Sequence, residues 1–204
     1  MVVFLCAFGA IAPAAAQQTR SLDQIEFKSL FIEVSDRDSN FTVVDARFDE
    51  TGTAGVFFGI VGAGLNSAQN AAQDDEKADT LRAAADKIDL AAILSEALQE
   101  TLASRGDIAL AAGRAEASHT LLVEIRNWGL LRKNREDAQM RVLLNLTLTV
   151  VDAKNRAVWE KKRENAVGDE AAPFEAYTNE KLTAEMEKLA RKSGQYVAYQ
   201  FIYR

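Results

Sequence analysis

The chain is poor in the residues on which catalytic and metal sites are most often built. Its 204 residues contain one cysteine, one histidine and two prolines. Cys6 lies inside an apolar leader, so a chain processed after that leader has no disulfide and no thiolate metal ligand. A single histidine, His119, excludes multi-histidine metal centres and Cys–His pairs. A Ser-His-Asp triad would have to use His119 as its base, and its place at the mouth of an apolar strand fits a structural histidine better. The scarcity of proline argues against a long extended linker. No G-x-S-x-G, G-x-x-x-x-G-K-[ST] or H-E-x-x-H occurs, and Gly59, Gly62 and Gly64 do not follow the dinucleotide-binding order. Asp36/Asp38 and Asp74/Asp75/Glu76 lack the spacing of a calcium loop and read as solvated turns and helix starts. The expectation is therefore a protein with no catalytic residues, no metal and no cofactor.

Met1–Ala16 is a nearly unbroken apolar run that closes on Pro13-Ala14-Ala15-Ala16. It is short for a membrane span and suits a secretory signal peptide cleaved after Ala16. No Lys or Arg precedes Arg20, which leaves an uncleaved anchor as the alternative. Residue 17 onward then reads as one periplasmic domain running to 204, large enough to bury a core without disulfide staples. A net charge of −6, with 24 basic residues scattered among 30 acidic ones, offers no face for nucleic acid.

Two segments stand out as candidate contact sites. Gly55–Leu65 is apolar and punctuated by Gly55, Gly59, Gly62 and Gly64. The Gly55/Gly59 spacing permits close helix–helix approach, so self-association or membrane contact is one reading. The other is a close-packed segment in which glycine makes room. Arg126, Trp128, Arg132, Lys133 and Arg135 form a basic patch around one exposed-looking aromatic, suited to an anionic lipid surface or, more simply, to a solvated hairpin loop.

Periodicity supplies the rest. Residues 27–34 and 41–46 read as strands, the second at an edge, separated by the turn formers of 35–40. Residues 67–105 read as helix broken near Asp89. The upstream piece has a thin apolar stripe and is expected to be largely exposed and mobile. The downstream one is capped by Asp89, with Leu90, Leu94, Leu98 and Leu102 in register and Gly106 as its stop. A short strand over 107–110 precedes strands over 120–128, with Trp128 on the side of Leu122, Glu124 and Arg126, and over 140–151. In the latter Met140, Val142, Leu144, Leu146, Leu148 and Val150 alternate with a second set. Asp152–Asn155 is a hairpin turn with Asn155 left-handed, and residues 156–162 return antiparallel. Sequons at Asn40 and Asn145 fall on strands and read as sheet residues. A C-terminal helix is expected from Pro173 to about Phe201, with a Glu187–Arg191 pair and a terminus docked by Tyr196, Tyr199, Phe201 and Tyr203. The predicted class is α+β. Its architecture is a two-layer sandwich in which a mixed, mostly antiparallel sheet of four to six strands carries two long helices on one face.

The run Leu94…Leu98…Leu102-x-x-x-Gly106 leads into Ala117-x-x-Thr120-Leu121-Leu122-Val123 and later Val151-Asp152-Ala153-Lys154-Asn155-Arg156-Ala157-Val158-Trp159. Over roughly 89–204 this pattern resembles small α/β domains of Gram-negative envelope proteins. These are auxiliary periplasmic components of ABC-type transport systems, the curli-secretion lipoprotein and the N-terminal domain of the Tol-system translocation protein. Leu5 stands where a lipoprotein would place a small residue before its modified cysteine, a departure that argues against tethering through Cys6. The resemblance implies a periplasmic, partly outer-membrane-associated module acting in envelope assembly or transport. It would work through an envelope protein partner, with self-association or membrane-surface contact as secondary expectations. A carrier of a lipid or other apolar ligand, and a hydrolase centred on His119, are the readings from other classes.

Overall fold

The computed structural model describes residues 21–37, 39–45, 75–105, 107–132 and 139–204. In chain order the elements are β1 Leu30–Ser35, β2 Asn40–Asp45, α1 Asp75–Ala85, α2 Leu90–Arg105, β3 His119–Arg132, β4 Gln139–Asp152, β5 Ala157–Val167, β6 Ala172–Pro173 and α3 Asn179–Ile202. The six strands form one mixed sheet, ordered β1-β3-β4-β5, with β2 also beside β3 and β6 also beside β4. The α+β class and the helix-on-sheet layering predicted from sequence are those observed.

The layer is four strands wide because each edge is a strand in two pieces. β1 runs parallel to the first half of β3, from Leu30↔His119 to Ser35↔Glu124, and β2 continues the same edge from Asn40↔Asn127 to Asp45↔Arg132. On the far side β5 pairs antiparallel with β4 up to Leu143↔Val167, and β6 resumes at Met140↔Ala172. Gly168 makes the joint: its N–H donates to Val142 O at 2.8 Å, and a Cβ there would collide with Val142 Cγ2.

β4 is central because its alternation supplies a continuous apolar face. Met140, Val142, Leu144, Leu146, Leu148 and Val150 are all fully buried, each contributing about 1.5–3 kcal/mol of transfer free energy. β3 adds Leu121, Val123 and Ile125 to the same face. Its register on β4 then steps from Ile125↔Leu146 to Asn127↔Asn145, leaving Arg126 as an extra residue. That bulge reverses the phase of alternation. Trp128 and Leu130 therefore face the core, and Trp128 meets Phe41 edge-to-face at 5.3 Å. The sequence expectation that Trp128 shares the side of Glu124 and Arg126 is corrected here: unbroken alternation cannot be carried across a bulge.

Helices α2 and α3 cover the apolar face. The Asp89 carboxylate accepts from Ala92 N at 2.9 Å, capping α2 as expected, and Leu90, Leu94, Ala97, Leu98 and Leu102 are buried. α3 begins later than Pro173, which belongs to β6. A 3-10 turn over Phe174–Ala176 intervenes, and Thr178 caps the helix by accepting from Lys181 N at 3.2 Å. The predicted stripe Leu182, Met186, Leu189, Ser193 and Val197 is buried. Arg191 reaches across to Glu96 and Glu100 of α2, at 3.4 and 4.0 Å, rather than along its own helix to Glu187. At Gly194 the two helices approach closely: a Cβ there would lie 2.7 Å from Leu94 O and 3.0 Å from Ala97 Cβ. α1 is better anchored than its thin stripe predicts. Leu81 and Ala85 are buried, and Lys77 Nζ donates to Glu175 O at 2.6 Å while lying 5.4 Å from the Phe174 ring.

Two local devices fix the ends of the sheet. At the β4–β5 turn, Asn155 is left-handed at φ 60° as expected, and Asp152 accepts from Lys154 N, Arg156 N and Arg156 Nε. The Arg156 hydrogen bonds lower the pKa of the Asp152 carboxyl to about 2. At the start of β3, Ser29 and Ser118 clasp each other: Ser118 N donates to Ser29 Oγ at 2.9 Å and Ser118 Oγ to Ser29 O at 2.7 Å. The strand expected over 107–110 reduces to a single bridge, Leu110 to Leu30. The expected strand over 27–34 begins only at Leu30, because Phe27 turns into the core against Phe201 at 5.7 Å.

Candidate partner-binding site

The structure describes three of the five residues of the basic patch read from sequence. Trp128 is core, Arg126 is exposed but paired with Glu124, and Arg132 is half-buried at the end of β3. Lys133 and Arg135 lie outside the described residues, as do Gly55, Gly59, Gly62 and Gly64. His119 packs edge-to-face on Phe27 at 5.1 Å, with Nδ1 3.1 Å from Ser118 Oγ. That serine is engaged with the main chain of Lys28 and Ser29, so the pair sits at a joint between two segments. Among the described residues, no group of three or more His, Cys, Asp or Glu could hold a metal, and no helix is long and apolar enough to cross a membrane.

The sequence alone gives no sign of a groove of about 240 Å³ between the outer edge of β5 and α3, lined by residues 164–167 and by Leu189, Lys192, Ser193 and Tyr196. β5 ends the sheet on this side, so alternate N–H and C=O groups along 164–167 point away from the ladder with no strand among the described residues to receive them. Because the Gly168 N–H points inward to Val142 O, alternation turns the N–H groups of Asn165 and Val167 outward. Upstream, Glu160, Lys161, Lys162, Arg163 and Glu164 make the edge charged, a common defence against strand addition. Asn165-Ala166-Val167 has no such protection.

The charged side chains around the groove are already engaged. Lys192 Nζ donates to both oxygens of Asp169, at 3.0 and 2.9 Å, and this hydrogen bonding holds the Asp169 carboxyl below its usual range. Lys188 does the same for Glu170. Ser193 Oγ donates to Leu189 O at 2.7 Å, and Glu164 is held by Lys161 and Gln200. The groove therefore offers a partner main-chain groups and apolar surface, not charge. Val167 is 40% exposed and Tyr196 54% exposed.

Tyr196, Tyr199 and Tyr203 continue along the outer side of α3. With Val167 they are the large apolar side chains left exposed among the described residues. The expectation that the terminal aromatics dock is met by Phe201 alone, which is fully buried beside Phe27 and Trp159. Tyr203 is steadied from α2, its hydroxyl accepting from Arg105 at 2.8 Å. A period-3.6 stripe reads one face of a helix as core; tyrosines on the opposite face, at 196, 199 and 203, are the available signal of a second contact surface.

No protein-family model and no curated protein matches the chain. Solved structures that resemble it include proteins of Gram-negative bacteria. A Xanthomonas campestris protein of the DUF330 family aligns at 14% identity and TM-score 0.41, over 55% of this chain and 61% of that one, so the likeness spans about three fifths of that protein. A minor lipoprotein of Acinetobacter baumannii aligns at 10% identity and TM-score 0.45, over 87% of this chain and 92% of that one. The PelC dodecamer of Paraburkholderia phytofirmans aligns at 12% identity and TM-score 0.32, over 88% and 92%. At these scores the likenesses carry neither a family nor a function across to this chain.

Proposed function

We propose that this is a non-enzymatic, envelope-associated protein that acts in assembly or transport by holding an extended segment of another envelope protein along β5. The observation that carries the reading is the unprotected edge at 165–167, facing α3 across a groove in which Tyr196 is exposed. A strand added there would satisfy the outward main-chain groups while its alternate side chains entered the groove, the mode by which sheet-edge modules bind peptides. The leader at Met1–Ala16 supports delivery to the periplasm. This groove, at about 240 Å³, falls below the volume that encloses a drug-sized ligand, which favours an extended segment over a lipid as its occupant.

The test is photo-crosslinking in intact cells from a reactive amino acid at position 167 or 196, with position 33 on the opposite edge as control. The expected result is one discrete adduct from 167 and 196, absent from 33. It should be lost in Asn165→Pro, which removes an outward N–H and leaves the ladder to β4 its inward bonds. Adducts of equal yield from all three positions, or none from 167 and 196, would overturn the reading.

A further inference from the structure

Side chains join β5 to α3 along most of the strand, and the joining stops at Ala166. In β5, Trp159, Lys161, Glu164 and Ala166 stand opposite buried, even-numbered residues of β4 and turn with them toward the helices. Trp159 meets Phe201 of α3 edge-to-face at 6.0 Å. Lys161 Nζ donates to Gln200 Oε1 at 3.2 Å, and Gln200 Nε2 donates to Glu164 Oε2 at 3.2 Å. Ala166 has only a methyl group, too short to continue the series. On α3, Ser193 is also small, and its hydroxyl donates within the helix to Leu189 O. The space these two small residues leave is the groove, with buried Leu189 and exposed Tyr196 among its walls. Along the strand it is bounded by ion pairs already made, Lys161 with Glu164 before it and Lys192 with Asp169 after it. The gap is therefore the length of one helix-facing position.

We propose that this gap is an anchor slot for one aromatic side chain, so that the segment bound along β5 carries a single Phe, Tyr or Trp between small residues. This specificity rests on the strand-addition reading of the β5 edge. In a strand paired with the outward groups of Asn165 and Val167, the residue opposite Ala166 turns its side chain to the same face as Ala166, over the gap. Its immediate neighbours turn away from the helices. The residues beyond those fall where the ion pairs already join strand, loop and helix, which favours small side chains there. At about 240 Å³ the groove is below the roughly 300–1,000 Å³ of small-molecule sites and nearer the scale of a side chain. Tyr196 singles out an aromatic residue, because a ring entering beside an exposed phenol gains an offset or edge-to-face contact that an aliphatic chain does not. A charged residue would be desolvated beside pairs that are already closed, with nothing to compensate it. An aromatic side chain seated in a pocket is also the usual form of the anchor on which an interface depends.

The test is a titration of isotope-labelled protein with short peptides of alternating Thr and Ser that carry Phe, Ala or Lys at the centre. Shifts of the Asn165 and Val167 backbone amides report strand addition, and shifts of the Tyr196 ring report the slot. The Phe peptide is expected to move both sets and to bind at least about tenfold more tightly than the Ala peptide. The Lys peptide should bind no more tightly than the Ala one. Ala166→Leu, which extends a side chain from β5 into the gap, should erase the preference for Phe while the Ala peptide still shifts the two amides. Tyr196→Ala, at an exposed position, should reduce the same preference and serves as the second variant should Ala166→Leu fail to fold. Amide shifts at Asn165 and Val167 with equal affinity for the Phe and Ala peptides would overturn the slot and leave strand addition standing. Absence of those amide shifts with every peptide would overturn both.

Discussion

Along β4, neighbouring residues face two different environments. Leu144, Leu146 and Leu148 point into a layer closed by α2 and α3, where every side chain is fitted to its neighbours. Asn145 and Thr147, one residue away in each case, point to the other face, where burial is nearly as deep but the contacts are polar or unmade. Equal burial thus has unequal meaning. On the helix side it reports volume and shape complementarity, and at Asn145 and Thr147 it reports polar groups whose partners decide their worth.

The contrast can be broken most severely at Gly194. Gly194→Val places methyl groups where Leu94 O and Ala97 Cβ already stand, so α2 and α3 must separate. A loss of more than about 3 kcal/mol is expected, read as a large drop in the urea midpoint. Next comes an adjacent pair on β4. Leu146→Ala should cost about 2–5 kcal/mol through the cavity it leaves. Thr147→Val, which removes a hydroxyl accepting from Arg126 Nε and donating to Lys162 O, should cost only about 1 kcal/mol. If the two proved equal in denaturant titrations, the two faces would not differ as described.

The smallest effect is a pH dependence. Tyr177 is buried and its hydroxyl donates to Met140 O at 3.0 Å, tying the start of α3 to β4. Burial, with Glu185 adding to it, pushes the phenol up to about 12 from an ordinary value of 10.0. The unfolded chain therefore releases this proton first. Stability from this group is complete below about pH 10 and is lost as pH rises toward about 12. Tyr177→Phe should flatten that alkaline slope while costing about 1 kcal/mol at neutral pH, measured by melts from about pH 8 to about 12.

The helix-covered side is largely legible in the sequence because it is written in periodicity. The alternation of β4, the stripe of α2 with Asp89 as its cap, and the left-handed Asn155 all follow from local rules. Trp128 is not legible, since one extra residue at Arg126 inverts everything after it and leaves no mark in composition. The start of α3 is misplaced by sequence because proline suits a first helical turn, while the side chain that caps the helix is Thr178. The β5 groove depends on how a strand edge meets a helix about 25 residues further on, which no single periodic stretch of chain contains.

The clasp between Ser29 and Ser118 joins residues 89 apart. Closing a loop of that length costs about 2–3 kcal/mol more than closing the short turn between β4 and β5, by the logarithmic growth of loop entropy. The β3–β4–β5 meander is thus easily assembled, whereas its parallel neighbour β1 is held against a standing entropic pull. The two serines and the Leu30–Leu110 bridge gather hydrogen bonds where that pull is applied, at the end of the strand where β1 would begin to peel away.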